Sequence, residues 1–177
     1  SFPTRRSSDL EHFREKDYYA EGNNGFIYET TIGKLGIAIC YDRHFPEYMR
    51  ALGVGGADLV IIPQAGARGE WPEGLFEAEV SVAAFQNGYF CALCNRTGRE
   101  EKLVFEGKSF ITSPRGRIVA QAGAETDEIL PAEIDLDEAA TSQARTHFLK
   151  DRRPGLYHSW LKGDVSGCER AEITREQ

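Results

Sequence analysis

Cys40, Tyr41, Asp42, Arg43 and His44 set a thiol, a carboxylate, a guanidinium and an imidazole in one short stretch, and no other part of the chain is as dense in reactive groups. A thiolate is the strongest nucleophile a side chain offers at neutral pH, and it attacks carbonyl or nitrile carbon. The residues ahead of it, GKLGIAIC, alternate Leu35, Ile37 and Ile39 with small residues, which predicts a buried strand ending at Cys40. Phe45-Pro46 follows, and Pro46 suits the first position of a helix. A thiol at a strand-to-helix turn lies beside backbone N–H groups and the positive end of a helix dipole. Both favour a thiolate and an oxyanion next to it. A strand-end cysteine is also a common buried structural residue. The charged turn is what favours the nucleophile.

Positioning that turn requires a scaffold, and the chain is punctuated for one. Glu21-Gly22-Asn23-Asn24-Gly25 is a turn cluster, and residues 26–31 read as a strand paired through a turn near Gly33 to the strand ending at Cys40. A helix is expected over 46–54, closed by Gly55-Gly56, and then a buried strand over 58–63. Leu75, Phe76, Val80, Val82, Ala83 and Phe85 predict a helix over 73–86, closed by Asn87-Gly88, and 89–95 is a continuous apolar strand. Strands over 108–113 and 117–122 flank the hairpin signal Ser113-Pro114-Arg115-Gly116. A last strand is expected over 129–136, then a helix from 137 to about 147 capped by Asp137, and a loosely held tail after Tyr157. Apolar strands alternating with helices predict a sheet buried by helices in a layered α/β arrangement.

Composition narrows the classes. At 177 residues, 41% apolar and 28% charged, the chain is long enough for one domain with a sizeable core. A net charge of -7 and a pI near 5.2 argue against nucleic acid or an anionic membrane as partner. No apolar run approaches a membrane span, and residues 1–10 lack the apolar segment of a secretory signal. Four cysteines outside any dense framework fit a reducing cytoplasm. Cys91 and Cys94 have C-x-x-C spacing but lie inside an apolar strand, with Cys168 isolated and the histidines scattered, so neither a metal nor another cofactor is expected. Residues 1–9 are polar and Arg/Ser-rich, and are expected to be disordered or a foreign leader. The domain proper is placed at 10–160 and a tail at 161–177.

The Cys40 turn resembles the nucleophile motif of the nitrilase, or carbon–nitrogen hydrolase, superfamily, and further segments are similar in the same order. Glu15 to Tyr19 and Glu21 to Gly25 look like the loop before the nucleophile strand, and ADLVIIP (57–63) like the strand after it. QNGY (86–89) through CNRTG (94–98), the pair GKSF (107–110) and SPRG (113–116), and DRRPGLY (151–157) resemble later motifs, the last that of the branch acting on N-carbamoyl compounds. The resemblance implies an αββα sandwich, usually dimeric or larger, so a homo-oligomer is expected. It implies a cysteine hydrolase of N-carbamoyl amino acids or related amides, with an ω-amidase, nitrilase or glutaminase outcome as alternatives.

By that resemblance Cys40 attacks, the backbone N–H of Tyr41 meets the oxyanion, and Glu15 matches a glutamate beside the nucleophile, although a solvated loop acid is equally open for it. Arg43 is a candidate for a substrate carboxylate, with a structural ion pair at the helix start as its alternative. His44 and Gln64 are placed with Arg43 as substrate-binding residues. The family pattern also has a base glutamate near its N-terminus and a lysine in a Lys-x-His-type motif shortly before the Glu15 loop. Residues 1–15 contain no lysine, and Lys16 falls within the loop motif itself. The expectation is therefore a C-terminal portion of the domain behind an unrelated leader, catalytically inert by itself and prone to self-association through an uncovered sheet.

Overall fold

A computed structural model describes residues 17–20, 22, 27–100 and 102–162. Strand β1 (Ile27–Thr30) pairs antiparallel with β2 (Gly33–Ile37). A 3₁₀ turn (Cys40–His44) and helix α1 (Pro46–Val54) then carry the chain to β3 (Leu59–Gln64), parallel to β2. Helix α2 (Leu75–Asn87) makes the next crossover to β4 (Phe90–Asn95), parallel to β3 over six residue pairs. Strands β5 (Thr97–Glu100) and β6 (Leu103–Glu106) form a separate two-stranded sheet. Strands β7 (Phe110–Thr112) and β8 (Ile118–Gln121) complete a six-stranded mixed sheet in the order β1-β2-β3-β4-β7-β8.

Strand periodicity decides which side chains the helices cover. Gly36, Val60, Cys91 and Thr112 lie in one row across the sheet, and Ile62, Leu93 and Phe110 in the next. All seven are buried, and Leu52 of α1 packs at the place where a Cβ on Gly36 would point. Each fully buried Val, Leu, Ile or Phe contributes about 1.5–3 kcal/mol relative to exposure. The opposite row, Leu35, Ile37, Leu59, Ile61 and Ala92, is only half-buried among the described residues.

Helices α1 and α2 meet at Gly53, where a Cβ would stand 2.7 Å from that of Asn87. Asn87 donates to Ala83 O (2.8 Å) and to the Tyr89 hydroxyl (3.1 Å), and that hydroxyl donates to Met49 O (3.1 Å). The Asn87 amide nitrogen and the Tyr89 hydroxyl thus tie both helices to β4, while Asn87 Oδ1 is buried without a partner among the described residues. Gly88 closes α2 with φ 72° and donates to Ala84 O (2.9 Å), the left-handed helix ending that Asn87-Gly88 predicts.

The layered α/β arrangement, the β-α-β-α-β order and the 113–116 hairpin are as expected, and three readings are corrected. Residues 129–136 are not a strand, because no neighbouring strand among the described residues pairs with their backbone, and Ile129 is 92% exposed. The helix expected to run to about 147 breaks. Helix α3 is only Asp137–Ala140, and a π-helical turn follows at Ala144–Phe148. Ser142 Oγ donates to Ala139 O (2.7 Å) and Thr141 Oγ1 to Glu138 O (3.3 Å), the local bonding by which hydroxyl side chains compete with a helix. Asp137 is not the cap either: its own N–H donates to Asp135 Oδ1 (3.0 Å). Past Tyr157 the chain stays helical in α4 (Pro154–Leu161), started by Pro154 at its first turn. The proposed leader 1–9 lies outside the described residues, as does all of the proposed tail 161–177 except its first two positions.

Candidate active site

The three parallel strands deliver their carboxyl ends to one edge. β2 runs out through Ala38 and Ile39 into Cys40, β3 ends at Gln64 and β4 at Asn95. The crevice beyond the carboxyl ends of parallel strands is where open α/β sheets place their ligands. Cys40 itself has φ 49°, left-handed backbone that a residue with a Cβ seldom adopts. The turn is fastened on both sides of it. Ile39 N–H donates to Asp42 Oδ2 (2.9 Å), Asp42 N–H donates to Ile39 O (2.9 Å), and the Tyr48 hydroxyl of α1 donates to Ile37 O (2.7 Å). Burial, with the Asp42 charge second, pushes the Tyr48 phenol well above its ordinary range, so it stays a neutral donor.

Arg43 is 4% exposed. Its Nε donates to Glu79 Oε2 (3.0 Å), its Nη1 donates to the carbonyl of Cys40 (2.8 Å), and its guanidinium lies 4.7 Å from the Phe76 ring centre. This is the structural ion pair that the sequence leaves open as the alternative to a substrate contact. His44 Nδ1–H donates to the other oxygen, Glu79 Oε1 (2.6 Å), and its ring stands 5.1 Å from that of Trp71 and 5.3 Å from that of Tyr41. The Tyr41 N–H sits in the first turn of the 3₁₀ segment, where backbone donors lack intrahelical acceptors, and it has none among the described residues.

At the ends of β3 and β4 opens a cavity of about 450 Å³ whose walls include Gln64, Trp71, Phe76, Asn95, Glu106 and Lys108; it adjoins the turn through Trp71 and Phe76, whose rings face His44 and Arg43. Both amide atoms of Gln64 and the indole Nε1 of Trp71 are buried without a hydrogen-bond partner among the described residues. Asn95 braces the rim: its Oδ1 accepts from Gly66 N–H (2.8 Å) and its Nδ2 donates to Gly66 O (3.3 Å) and Gly107 O (2.9 Å). Lys108 bonds Glu106 at 3.2 Å, and Glu106 also accepts from Arg68 (2.8 Å). These two partners, Arg68 foremost, hold the Glu106 carboxyl below its usual range.

Of the residues singled out from sequence, Cys40, Tyr41, Arg43, His44 and Gln64 therefore gather at one sheet edge. Glu15 lies outside the described residues. Cys91 and Cys94 point to opposite faces of β4, Cys91 buried and Cys94 exposed, and burial raises the thiol pKa of both. Glu79 and Trp71 were not singled out. No local spacing links Glu79 to a turn 36 residues before it, and only the packing of α2 against the turn reveals it. No helix among the described residues is long and apolar enough to cross a membrane.

The family model described as carbon-nitrogen hydrolase matches residues 4–144. The chain belongs to the carbon–nitrogen hydrolase family. Among curated relatives, it is 33% identical to the N-carbamoylputrescine amidase of Solanum tuberosum over 168 residues, covering 87% of this chain and 56% of that protein. A nitrilase of Pyrococcus abyssi is 31% identical, with 82% and 55% covered. Among solved structures, a carbon-nitrogen hydrolase from Helicobacter pylori superposes with a TM-score of 0.81 at 31% identity, covering 89% of this chain and 59% of that one. An amidase variant from Nesterenkonia, carrying the acetamide moiety of fluoroacetamide on its active site cysteine, superposes with a TM-score of 0.71 at 30% identity, with 83% and 52% covered. The chain thus spans a little over half the length of the relatives it matches. The mixed sheet with helices agrees with these carbon–nitrogen hydrolase structures.

Proposed function

We propose that this carbon–nitrogen hydrolase chain supplies the nucleophile and part of the substrate pocket for hydrolysis of N-carbamoyl compounds or related amides. The observation that carries the reading is Cys40, held in left-handed backbone at the carboxyl end of a parallel strand, with the Tyr41 N–H open beside it. In the proposed reaction the Cys40 sulfur bonds to the carbonyl carbon while the carbonyl oxygen takes the negative charge, and the Tyr41 N–H donates to that oxygen. Collapse of the tetrahedral intermediate expels the amine, which carries away a proton. Water then cleaves the thioester-like carbamoyl-enzyme, releasing carbon dioxide and ammonia and restoring the thiol.

Gln64 offers one donor and one acceptor, the complement of an amide or ureido group, and its buried unpartnered amide supports that assignment. Arg43 and His44, committed to Glu79, fit shaping of the turn better than direct capture of a substrate carboxylate. This favours N-carbamoyl amines and plain amides over N-carbamoyl amino acids, in keeping with the names of the amidase relatives. Glu15 stays in the proposal as a catalytic carboxylate. The expected setting is a cytoplasmic homo-oligomer without cofactor.

A second reading, that the 177-residue chain alone does not turn over, draws on a specific observation: among the described residues the Cys40 thiol has no hydrogen-bond partner to take its proton. One experiment separates the two. The chain and its Cys40→Ala variant are incubated with fluoroacetamide and, separately, with an N-carbamoyl amine, and adducts are mapped by mass spectrometry while ammonia is measured. An adduct at Cys40 with ammonia release lost in the variant supports hydrolysis, and an adduct without release supports the second reading. Adducts confined to other cysteines, or release undiminished in Cys40→Ala, would sink the nucleophile assignment.

A further inference from the structure

We infer that Glu79 is the positioning and charge-selecting residue of the Cys40 turn: its two carboxylate oxygens hold Arg43 and His44, so that neither cation of the turn is free to meet a negatively charged substrate. The inference rests on Cys40 being the nucleophile of the proposed hydrolysis and concerns what surrounds it.

Each Glu79 oxygen has one partner, Oε2 taking Arg43 Nε at 3.0 Å and Oε1 taking His44 Nδ1 at 2.6 Å. The Arg43 side chain is 3% exposed, sandwiched between Glu79, the Phe76 ring and the Cys40 carbonyl. The chain of contacts therefore runs from α2 through Glu79 and Arg43 to the carbonyl of the nucleophile itself, the residue with the unfavourable φ. Asp42, 2% exposed, adds a second acid to the turn. Arg43 and a protonated His44 are thus matched in charge by Glu79 and Asp42, and with a neutral His44 the four groups are net negative. A carboxylate approaching Cys40 would meet no surplus positive charge from these turn residues, whereas a neutral amide is indifferent to them.

The test uses the thiol rather than turnover, so it reads the turn even if the chain does not hydrolyse anything. Cys40 is alkylated with neutral iodoacetamide and with anionic iodoacetate, each site quantified by peptide mapping, with exposed Cys94 as internal reference. In the wild-type chain the iodoacetate-to-iodoacetamide rate ratio at Cys40 should not exceed that at Cys94 and should not fall as salt is added. Glu79→Gln should raise the Cys40 ratio by about fivefold while leaving Cys94 unchanged, because it removes a negative charge and releases the guanidinium. A merely structural role would loosen the turn toward both reagents and leave the ratio where it was, which would overturn the inference. Should Glu79→Gln not fold, the wild-type salt series decides alone: a Cys40 ratio that falls steeply with salt means a free cation and overturns it. Absence of labelling at Cys40 by either reagent overturns it too, and takes the nucleophile assignment with it.

Discussion

At the scale of single residues, Cys40 combines a reactive atom with a backbone that resists it. Left-handed backbone at a residue with a Cβ costs about 1–2 kcal/mol, and at φ 49° Cys40 bears that cost while its neighbours hold it in place. Glycine has no such penalty, although it loses more chain entropy on folding. Cys40→Gly should therefore unfold at higher denaturant than Cys40→Ala, with a difference of about 0.5–1 kcal/mol. Equal midpoints in urea would mean that the turn relaxes once the sulfur is gone. Cys40 was legible in the sequence because strand alternation and the proline after it are local signals. Glu79 was not, since its meaning comes from a helix face brought against the turn by tertiary packing, and a lone glutamate in a helix carries no mark of its partner. Gln64 stood between the two: its place at a strand end could be read, but its lack of a partner could not.

Whole elements depend on what lies beside them. The helix α2 ended where Asn87-Gly88 predicted, because a left-handed closing residue is a local requirement. It is also a tight one: a Cβ at Gly88 would lie 2.3 Å from Ser142 Oγ and 3.0 Å from the Ala144 Cβ. Gly88→Ala should thus combine backbone strain with a clash against the π-helical turn and cost about 2–4 kcal/mol, measurable as a fall in the unfolding midpoint at unchanged slope. A cost under about 0.5 kcal/mol would show that the 144–148 turn is not firmly seated on α2. Residues 129–136 show the converse. They carry apolar Ile129, Leu130, Ile134 and Leu136, but a strand exists only with a partner for its backbone, and sequence says nothing about whether one is present. The β5–β6 hairpin was missed because Thr97–Glu100 has no apolar run to mark it as a strand.

Across the whole molecule, the sheet divides into a face covered by α1 and α2 and a face where Leu35, Ile37, Leu59, Ile61 and Ala92 stay half-buried. The covered face was the more legible in sequence, since helix and strand periodicities there agree with each other. Stability should divide accordingly. Amide hydrogen exchange under native conditions should find β3 and β4, paired over six positions, opening only with global unfolding, while β8 and α4, which has no buried residue, open at lower cost. Equal protection throughout would contradict this. The contiguity of the site-bearing strands has a consequence for biosynthesis. Cys40, Gln64 and Asn95 are delivered by successive β-α-β crossovers, so their mutual placement depends on parallel pairings distant in sequence, such as Leu35 with Leu59 and Leu59 with Phe90, which form slowly. A nascent chain would therefore leave the Cys40 turn unbraced until Glu79 of α2 had left the ribosome and packed against Arg43.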